Sequence, residues 1–118
     1  MENNLGQILG QFMKVKGVTA VALVGRDGFV IESTSNNDVD MDALGAMVAT
    51  AVGTAESLGQ EFGLGAMEQY LAEYVNGKVI MATANDDILA VFTDESAIIG
   101  GVRFAVKKHL PEVKEALQ

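Results

Sequence analysis

The chain has 118 residues, 49% of them hydrophobic, which suits one compact domain with a real core, so we expect a single domain over residues 1–118. The absence of cysteine excludes disulfides, zinc–thiolate sites and cysteine nucleophiles. A net charge of −8 argues against nucleic acid as a partner, because a phosphate backbone requires a concentrated basic surface.

The acidic residues are concentrated in the middle of the chain. Thirteen of them lie between Asp27 and Glu95, against only Lys78 within that region and Arg26 directly before it. Such a surface would steer a partner with basic patches, although it also serves plain solubility. The opening MENNLGQ lacks the basic and apolar regions of a secretory signal, and the uncharged run of the central helix is too short to cross a bilayer. We expect a soluble, cytoplasmic protein without a membrane span.

The first elements are a helix and a hairpin. Apolar residues recur at helical steps within Asn3–Lys16, where Lys14 and Lys16 fall in the last turn. Val18–Val24 is nearly free of polar groups, which predicts a central strand. The turn Gly25–Gly28 and the strand Phe29–Ser33 complete a hairpin. Arg26 at its tip is either a partner contact or a solvated turn arginine.

A central helix is predicted over Asp42–Phe62, capped by Asp40 or Asp42. One stripe is predicted to pack on a sheet: Leu44, Met47, Val48, Ala51, Ala55, Leu58 and Phe62. The opposite side has no charged water face and carries Gly45, Ala46, Ala49, Thr50, Gly53, Thr54 and Ser57. Since glycine costs about 1 kcal/mol in a helix interior, the small residues indicate either a helix enclosed in one domain or a platform for a second chain.

The second half reads as a three-stranded meander and a helix. Met67–Val75 is predicted as a strand because Asn76-Gly77 after it is a strong hairpin signal. Lys78–Ala84 and Ile88–Thr93 give two further strands around an Asn85–Asp87 turn. The last helix is predicted over Asp94–Leu110, capped by Asp94 or Ser96 and interrupted or kinked at Pro111.

The predicted order is therefore α-β-β-α-β-β-β-α, an α+β chain with a five-stranded antiparallel sheet. The two terminal helices would cover one face and the central helix the other. A single helix covers about 10 Å of sheet width, whereas five strands span about 20 Å. The second face is thus underprotected, and we expect two protomers to lay their central helices side by side and to pair edge strands.

The sequence contains few residue patterns suited to metal binding or catalysis. Asp38, Asp40 and Asp42 imitate the start of a calcium loop, but Ala49 stands where its bidentate glutamate belongs, so no metal site is predicted. The single histidine, His109, is expected to be a helix-end residue, and no phosphate loop or serine elbow is present. We predict no intrinsic catalysis and no cofactor.

In their order along the chain, these features resemble the Roadblock family of dynein light chains and their prokaryotic relatives over about residues 5–110. The stretches that carry the resemblance are Gly17–Val18, Val21–Val24, Asp27–Ile31, Leu44 with the small residues after it, Gly77–Ile80, Ile88–Val91 and Gly101–Arg103. The resemblance implies a profilin-like sandwich that dimerises through the third strand and the central helix. It also implies Ras-like small GTPases as partners that dock on the paired-helix side.

The expected interface residues come from the central helix and the third strand: Gly45, Ala46, Ala49, Thr50, Gly53, Ser57, Tyr70, Leu71, Ala72 and Tyr74. Three functions stay open at this point. The chain is a homodimeric or higher-order regulator of a small GTPase, an adaptor of a signalling or motor complex without effect on GTP hydrolysis, or a small-ligand sensor. A regulator would act by repositioning the loops of the GTPase, because a turn tip is a poor place for an arginine finger such as Arg26.

Overall fold

The helices and strands follow one another in the predicted order. The computed structural model describes residues 4–118, so the predicted helix start at Asn3 lies outside the described residues. The elements are α1 (Leu5–Phe12), β1 (Val18–Val24), β2 (Val30–Ser35), α2 (Met41–Glu61), β3 (Gln69–Tyr74), β4 (Gly77–Ala84), β5 (Asp87–Thr93) and α3 (Ile99–Ala116).

All five strands form one antiparallel sheet with the spatial order β2-β1-β5-β4-β3. The buried strands β1 and β5 lie in its interior, as their nearly continuous apolar sequences predict. The edges are β2 and β3. On β2 the pairing shifts between Leu23 and Val24, so that Ile31 is passed over in the register. The predicted antiparallel α+β sandwich is confirmed.

Both terminal helices pack on one face of the sheet. The core of this face consists of large apolar side chains from α1, α3 and the three inner strands: Leu5, Leu9, Phe12, Val21, Leu23, Ile80, Leu89, Val91, Val102 and Val106. Fully burying a side chain of this kind contributes about 1.5–3 kcal/mol. This face therefore contains the larger part of the apolar core.

The other face is covered by α2, which lies across β2, β1 and β5. Its buried residues are Gly45, Val48 and Val52. Beneath them lie small and medium-sized residues of the sheet: Ala22, Val24, Met81, Ile88 and Ala90. The alanines Ala22 and Ala90 leave room for the helix to lie close to the strands.

The closest approach is between α2 and the hairpin that joins β1 to β2. A Cβ atom on Gly45 would lie 2.3 Å from the carbonyl oxygen of Gly28. A Cβ atom on Gly28, whose φ is +90°, would lie 3.2 Å from the Cα atom of Ala46. Gly45 was predicted on the exposed side of the helix, and this position is wrong: it is buried because only glycine fits against the hairpin backbone.

Both terminal helices differ from their predicted bounds. α1 ends at Phe12 instead of Lys16, because the chain needs the following turn, with Gly17 at φ +86°, to enter β1. Lys14 and Lys16 therefore lie outside the helix. α3 continues through Pro111 to Ala116, since Val113 is fully buried in the core and holds the last turns in place.

The caps and turns also refine the predictions. Asp40 caps α2 by accepting a hydrogen bond from the backbone N–H of Ala43 at 3.2 Å, as predicted. The cap predicted for α3 is wrong: Ile98 occupies the N-cap position, and Asp94 instead accepts bonds from the backbone N–H and hydroxyl of Ser96. These bonds lower the pKa of Asp94. Asn85 has φ +57° in the β4–β5 turn, where asparagine is favoured.

We predict that Gly45→Ala destabilises the fold by about 3 kcal/mol, because the added methyl group would overlap a backbone oxygen that cannot move freely. A matched control is Gly101→Ala in α3, where, within residues 4–118 and apart from the neighbouring residues and backbone of its own helix, no atom lies within 4 Å of the added Cβ. That change should be neutral or stabilising by up to about 1 kcal/mol. Urea denaturation of both variants measures the difference, and equal stabilities would contradict the close approach.

Candidate protein-binding surface

The α2 face of the sheet is unevenly covered. β4 and β3 lie beyond the strands that α2 crosses. On this uncovered part, Tyr70 and Val79 are only half-buried, and Tyr74 at the end of β3 is 65% exposed. The predicted shortage of cover on this face is therefore present, and it is concentrated beside the β3 edge.

The large apolar residues of α2 are exposed. Met47, Leu58 and Phe62 were predicted to pack on the sheet, but their exposed fractions are 64%, 60% and 74%. This part of the prediction is wrong, because the stripe that packs on the sheet is Gly45, Val48 and Val52. Small and medium-sized residues of the helix therefore face the sheet, and its largest apolar residues face solvent.

One flank of α2 faces the uncovered strands. Ala55 and Leu58 line the same groove as Tyr70 of β3 and Thr83 of β4. Met47 and Ala51 lie at helical spacing along this flank from Leu58. We call the surface formed by Met47, Ala51, Ala55, Leu58, Tyr70 and Tyr74 the apolar flank.

The small residues singled out from the sequence lie elsewhere on α2. Ala46, Thr50 and Ser57 are exposed, and the hydroxyl of Thr50 donates a 2.9 Å hydrogen bond to the carbonyl of Ala46. Gly53 is half-buried, and within residues 4–118 a Cβ added there would have no atom within 4 Å apart from its own helix, whereas Ala49 packs partly into the core beneath α2. Ala46 lies next to the β1–β2 hairpin. The small residues therefore lie on the flank of α2 that faces away from β3 or on the outer side of the helix.

The predicted residues of β3 divide between the two faces of the sheet. Tyr70, Ala72 and Tyr74 are paired with Met81, Val79 and Gly77, and Tyr70 packs into the core on the α2 side. Leu71 pairs with Ile80, so it points to the opposite face, where it is 42% exposed. Sequence alternation along a strand explains this separation. The residues expected to form one interface therefore occupy at least two surfaces.

Arg26 is held in place by two other elements. Its Nη1 and Nη2 atoms form a bidentate ion pair with the carboxylate of Glu56 on α2, and its Nε donates to the carbonyl of Asp86 at 3.0 Å. The hydrogen bond from Arg26 lowers the pKa of Glu56, and the same bond raises the pKa of Arg26. The side chain ties the β1–β2 hairpin to α2 and to the β4–β5 turn. Sequence reasoning missed this role because the partners are 30 and 60 residues away.

His109 lies within α3, half-buried, in edge-to-face contact with Phe12, and its Nδ1 is 2.9 Å from a carboxylate oxygen of Glu112. These contacts give it a packing role.

In residues 4–118 no helix is long and apolar enough to cross a membrane.

Comparison with known proteins places this geometry in a family. A model of the Roadblock/LC7 domain matches residues 5–93. An uncharacterized protein of Methanocaldococcus jannaschii, MJ0310, is 34% identical over 110 residues, which cover 93% of this chain and 96% of that protein. The chain therefore belongs to the Roadblock/LC7 domain family.

Two solved structures share the fold. Myxococcus xanthus MglB superposes with a TM-score of 0.90 at 21% identity, covering 97% of this chain and 94% of that one. A structure of "MglB with tetrameric arrangement" has a TM-score of 0.86 at 18% identity, covering 93% of this chain and 85% of that one. At these identities the likeness concerns the architecture alone.

We predict that Glu56→Gln lowers the free energy of unfolding by about 0.5–1 kcal/mol at neutral pH, a value typical of a partly exposed ion pair. Because the pKa of Glu56 lies below its ordinary 4.5 in the folded state, the stabilisation is complete above pH 4.5. It is lost as the pH falls through the lowered value. Denaturation curves of wild type and variant should therefore converge in acid.

The control for this experiment is Glu61→Gln. Glu61 is an exposed residue of the same helix, and within the described part of the chain it has no ion-pair partner. Its replacement should change stability little at any pH. A difference for Glu56→Gln that persists unchanged in acid would contradict the ion pair as its cause.

Proposed function

We propose that the protein is a non-catalytic, homodimeric regulator of a Ras-like small GTPase in the cytoplasm. The observation that carries the proposal is the apolar flank, in which exposed large side chains of α2 border uncovered strands and a sheet edge. Monomeric proteins seldom leave such a surface in water. Membership of the Roadblock/LC7 family supports a regulatory role over a catalytic one.

Dimerisation through β3 would cover both the open edge of β3 and the apolar flank. Within residues 4–118, β3 has β4 as its one neighbour, so its outer backbone groups are available to a second strand. Pairing of β3 with its copy would extend the sheet across both protomers and bring the two apolar flanks together. The tetrameric arrangement of a structural relative supports oligomerisation as a use of this fold.

The acidic middle of the chain supports a partner with basic patches. The family resemblance gives that partner as a Ras-like GTPase, which would dock on the side where two α2 helices lie together. Exposed carboxylates lie at both ends of α2, at Asp42 and Glu61. They would raise the rate of encounter with a basic partner and make it sensitive to salt.

The arrangement around Arg26 supports regulation without a supplied catalytic group. An arginine finger must reach the transferring phosphate of its partner GTPase. Arg26 is instead bound to Glu56 and to the Asp86 carbonyl, and leaving them would break three hydrogen bonds. Acceleration of hydrolysis would therefore come from repositioning the loops of the GTPase.

The binding of Arg26 to Glu56 and to the Asp86 carbonyl also favours a second candidate function, that of an adaptor without effect on GTP hydrolysis. A surface without a projecting catalytic arginine suits a scaffold as well as an activator. A small-ligand sensor has less support, because Val48 and Val52 pack directly with Ala22, Met81 and Ala90 in the space beneath α2.

We predict that Tyr74→Glu raises the dimer dissociation constant at least about 100-fold, because an unpaired carboxylate would be buried in the interface. Tyr74 is 65% exposed in the protomer, so the fold itself should be little affected. The matched control is Phe29→Glu, which replaces another exposed aromatic residue near the far edge of the sheet. Light scattering after gel filtration measures the mass of each variant.

Wild type and Phe29→Glu should elute as dimers or larger assemblies and Tyr74→Glu as a monomer with an unchanged circular dichroism spectrum. A dimeric Tyr74→Glu variant would show that β3 is not the interface. A monomeric wild type would contradict the homodimer.

For activity, we predict that the protein accelerates single-turnover GTP hydrolysis by a Ras-like GTPase encoded in the same genome, and that Arg26→Ala retains the acceleration to within about threefold. Phosphate release and GTPase binding are measured for both forms. Loss of acceleration with binding intact would identify Arg26 as a supplied catalytic group. Binding without acceleration by either form would support the adaptor, and absence of binding would contradict the GTPase regulator.

A further inference from the structure

A groove between α3 and the segment after α2 borders the apolar flank and shares Ala55, Leu58 and Tyr70 with it. It is an open groove of about 1050 Å³, bounded by α3 on one side and by residues 64–68 and the end of α2 on the other. The α3 wall is a stripe at three- and four-residue steps: Gly100, Arg103, Phe104, Lys107, Pro111 and Lys114. We call this the α3 groove.

Three cations of the α3 groove have no carboxylate partner within residues 4–118. Arg103, Lys107 and Lys114 are exposed, and none of them forms an ion pair in that range. The Nε of Arg103 donates to the side-chain oxygen of Gln69 at 3.2 Å, which fixes the stem of the side chain at the groove. Unpaired cations side by side are unexpected in a chain with 16 acidic residues and 8 lysines and arginines.

Acidic residues of the described chain do not cancel this charge within the groove. Two carboxylates line it, Glu56 and Glu68. Glu56 is already paired with Arg26. Among the described residues, one unpaired carboxylate therefore faces three unpaired cations, and the groove is positive on a strongly negative protein.

Apolar side chains lie between the cations. Phe104 on α3 and Leu64 on the facing segment are 66% and 73% exposed, and Leu58 of α2 adds to the same wall. Apolar residues rimmed by charge of one sign are typical of a site that takes an apolar anchor with oppositely charged neighbours.

We propose that the α3 groove binds an acidic segment of a partner protein that carries at least one aromatic or large aliphatic side chain. The carboxylates of the segment would pair with Arg103, Lys107 and Lys114, and its apolar side chain would contact Phe104 and Leu64. The concave shape admits a peptide but not a flat bilayer, and the net charge of −8 repels both anionic membranes and nucleic acid. A protein segment is therefore the favoured occupant.

This inference goes beyond the proposed function. The α3 wall and residues 64–68 lie outside the apolar flank, whereas Ala55, Leu58 and Tyr70 line both surfaces. A segment bound along the α3 wall would therefore lie beside the proposed dimer interface.

The test uses a random twelve-residue phage-displayed peptide library, selected in parallel on three immobilised full-length proteins: wild type, Lys107→Glu and Lys108→Glu. Lys108 is the matched control, because it is an exposed neighbour on α3 that does not line the groove. Peptides selected on wild type and on Lys108→Glu should be enriched in Asp and Glu around an aromatic or aliphatic residue. Lys107→Glu should lose that enrichment.

Affinities of one synthetic peptide from the wild-type selection complete the test. Its dissociation constant should rise at least about tenfold for Lys107→Glu and less than about twofold for Lys108→Glu. Selected sequences without acidic enrichment, or equal losses for both variants, would overturn the proposal. Lys107-dependent binding to phosphatidylserine vesicles, or Lys107-dependent self-association by light scattering, would also overturn it by identifying a membrane or a second copy as the occupant.

Discussion

The contact between Gly45 and Gly28 is the constraint on which the α2 face depends. Because a helix backbone lies against a hairpin backbone there, α2 is drawn toward the β2 side of the sheet and rotated so that Gly45, Val48 and Val52 face inward. Val48 and Val52 then fill the space above Ala22 and Ala90. The Arg26–Glu56 pair closes the same hairpin against α2 about three turns further along the helix. Position and rotation of α2 are thus fixed at two points.

This placement explains the exposed surface. A helix held over β2, β1 and β5 leaves β4 and β3 beyond its edge, and a helix that buries its small residues must present its large ones. Met47 and Leu58 are exposed for that reason, although each of them would gain about 1.5–3 kcal/mol from burial. Burial against a second chain would recover this free energy. The close packing inside the protomer and the apolar surface outside it therefore have one cause.

The sequence predicted the fold better than the surface. Periodicity identified all eight elements, because the apolar runs of β1 and β5 and the turn residues of the hairpins are local signals. The rotation of α2 was not predictable in this way, since side-chain size suggested that Met47 and Leu58 face the sheet. Only the approach of Gly28, which precedes Gly45 by a whole hairpin strand and loop, decides otherwise. The Arg26 pair and the α3 groove likewise join residues that are distant in sequence.

The two proposed binding surfaces differ in charge. The apolar flank belongs to the acidic middle of the chain, whereas α3 carries four of the eight lysines and arginines, Arg103, Lys107, Lys108 and Lys114. Like charges on two partners disfavour binding at the wrong surface, so a basic partner would be directed to the side of α2 and an acidic one to α3. Because salt screens exposed charges over about 8–10 Å, the apolar contacts at each surface must supply affinity while the charges supply selectivity.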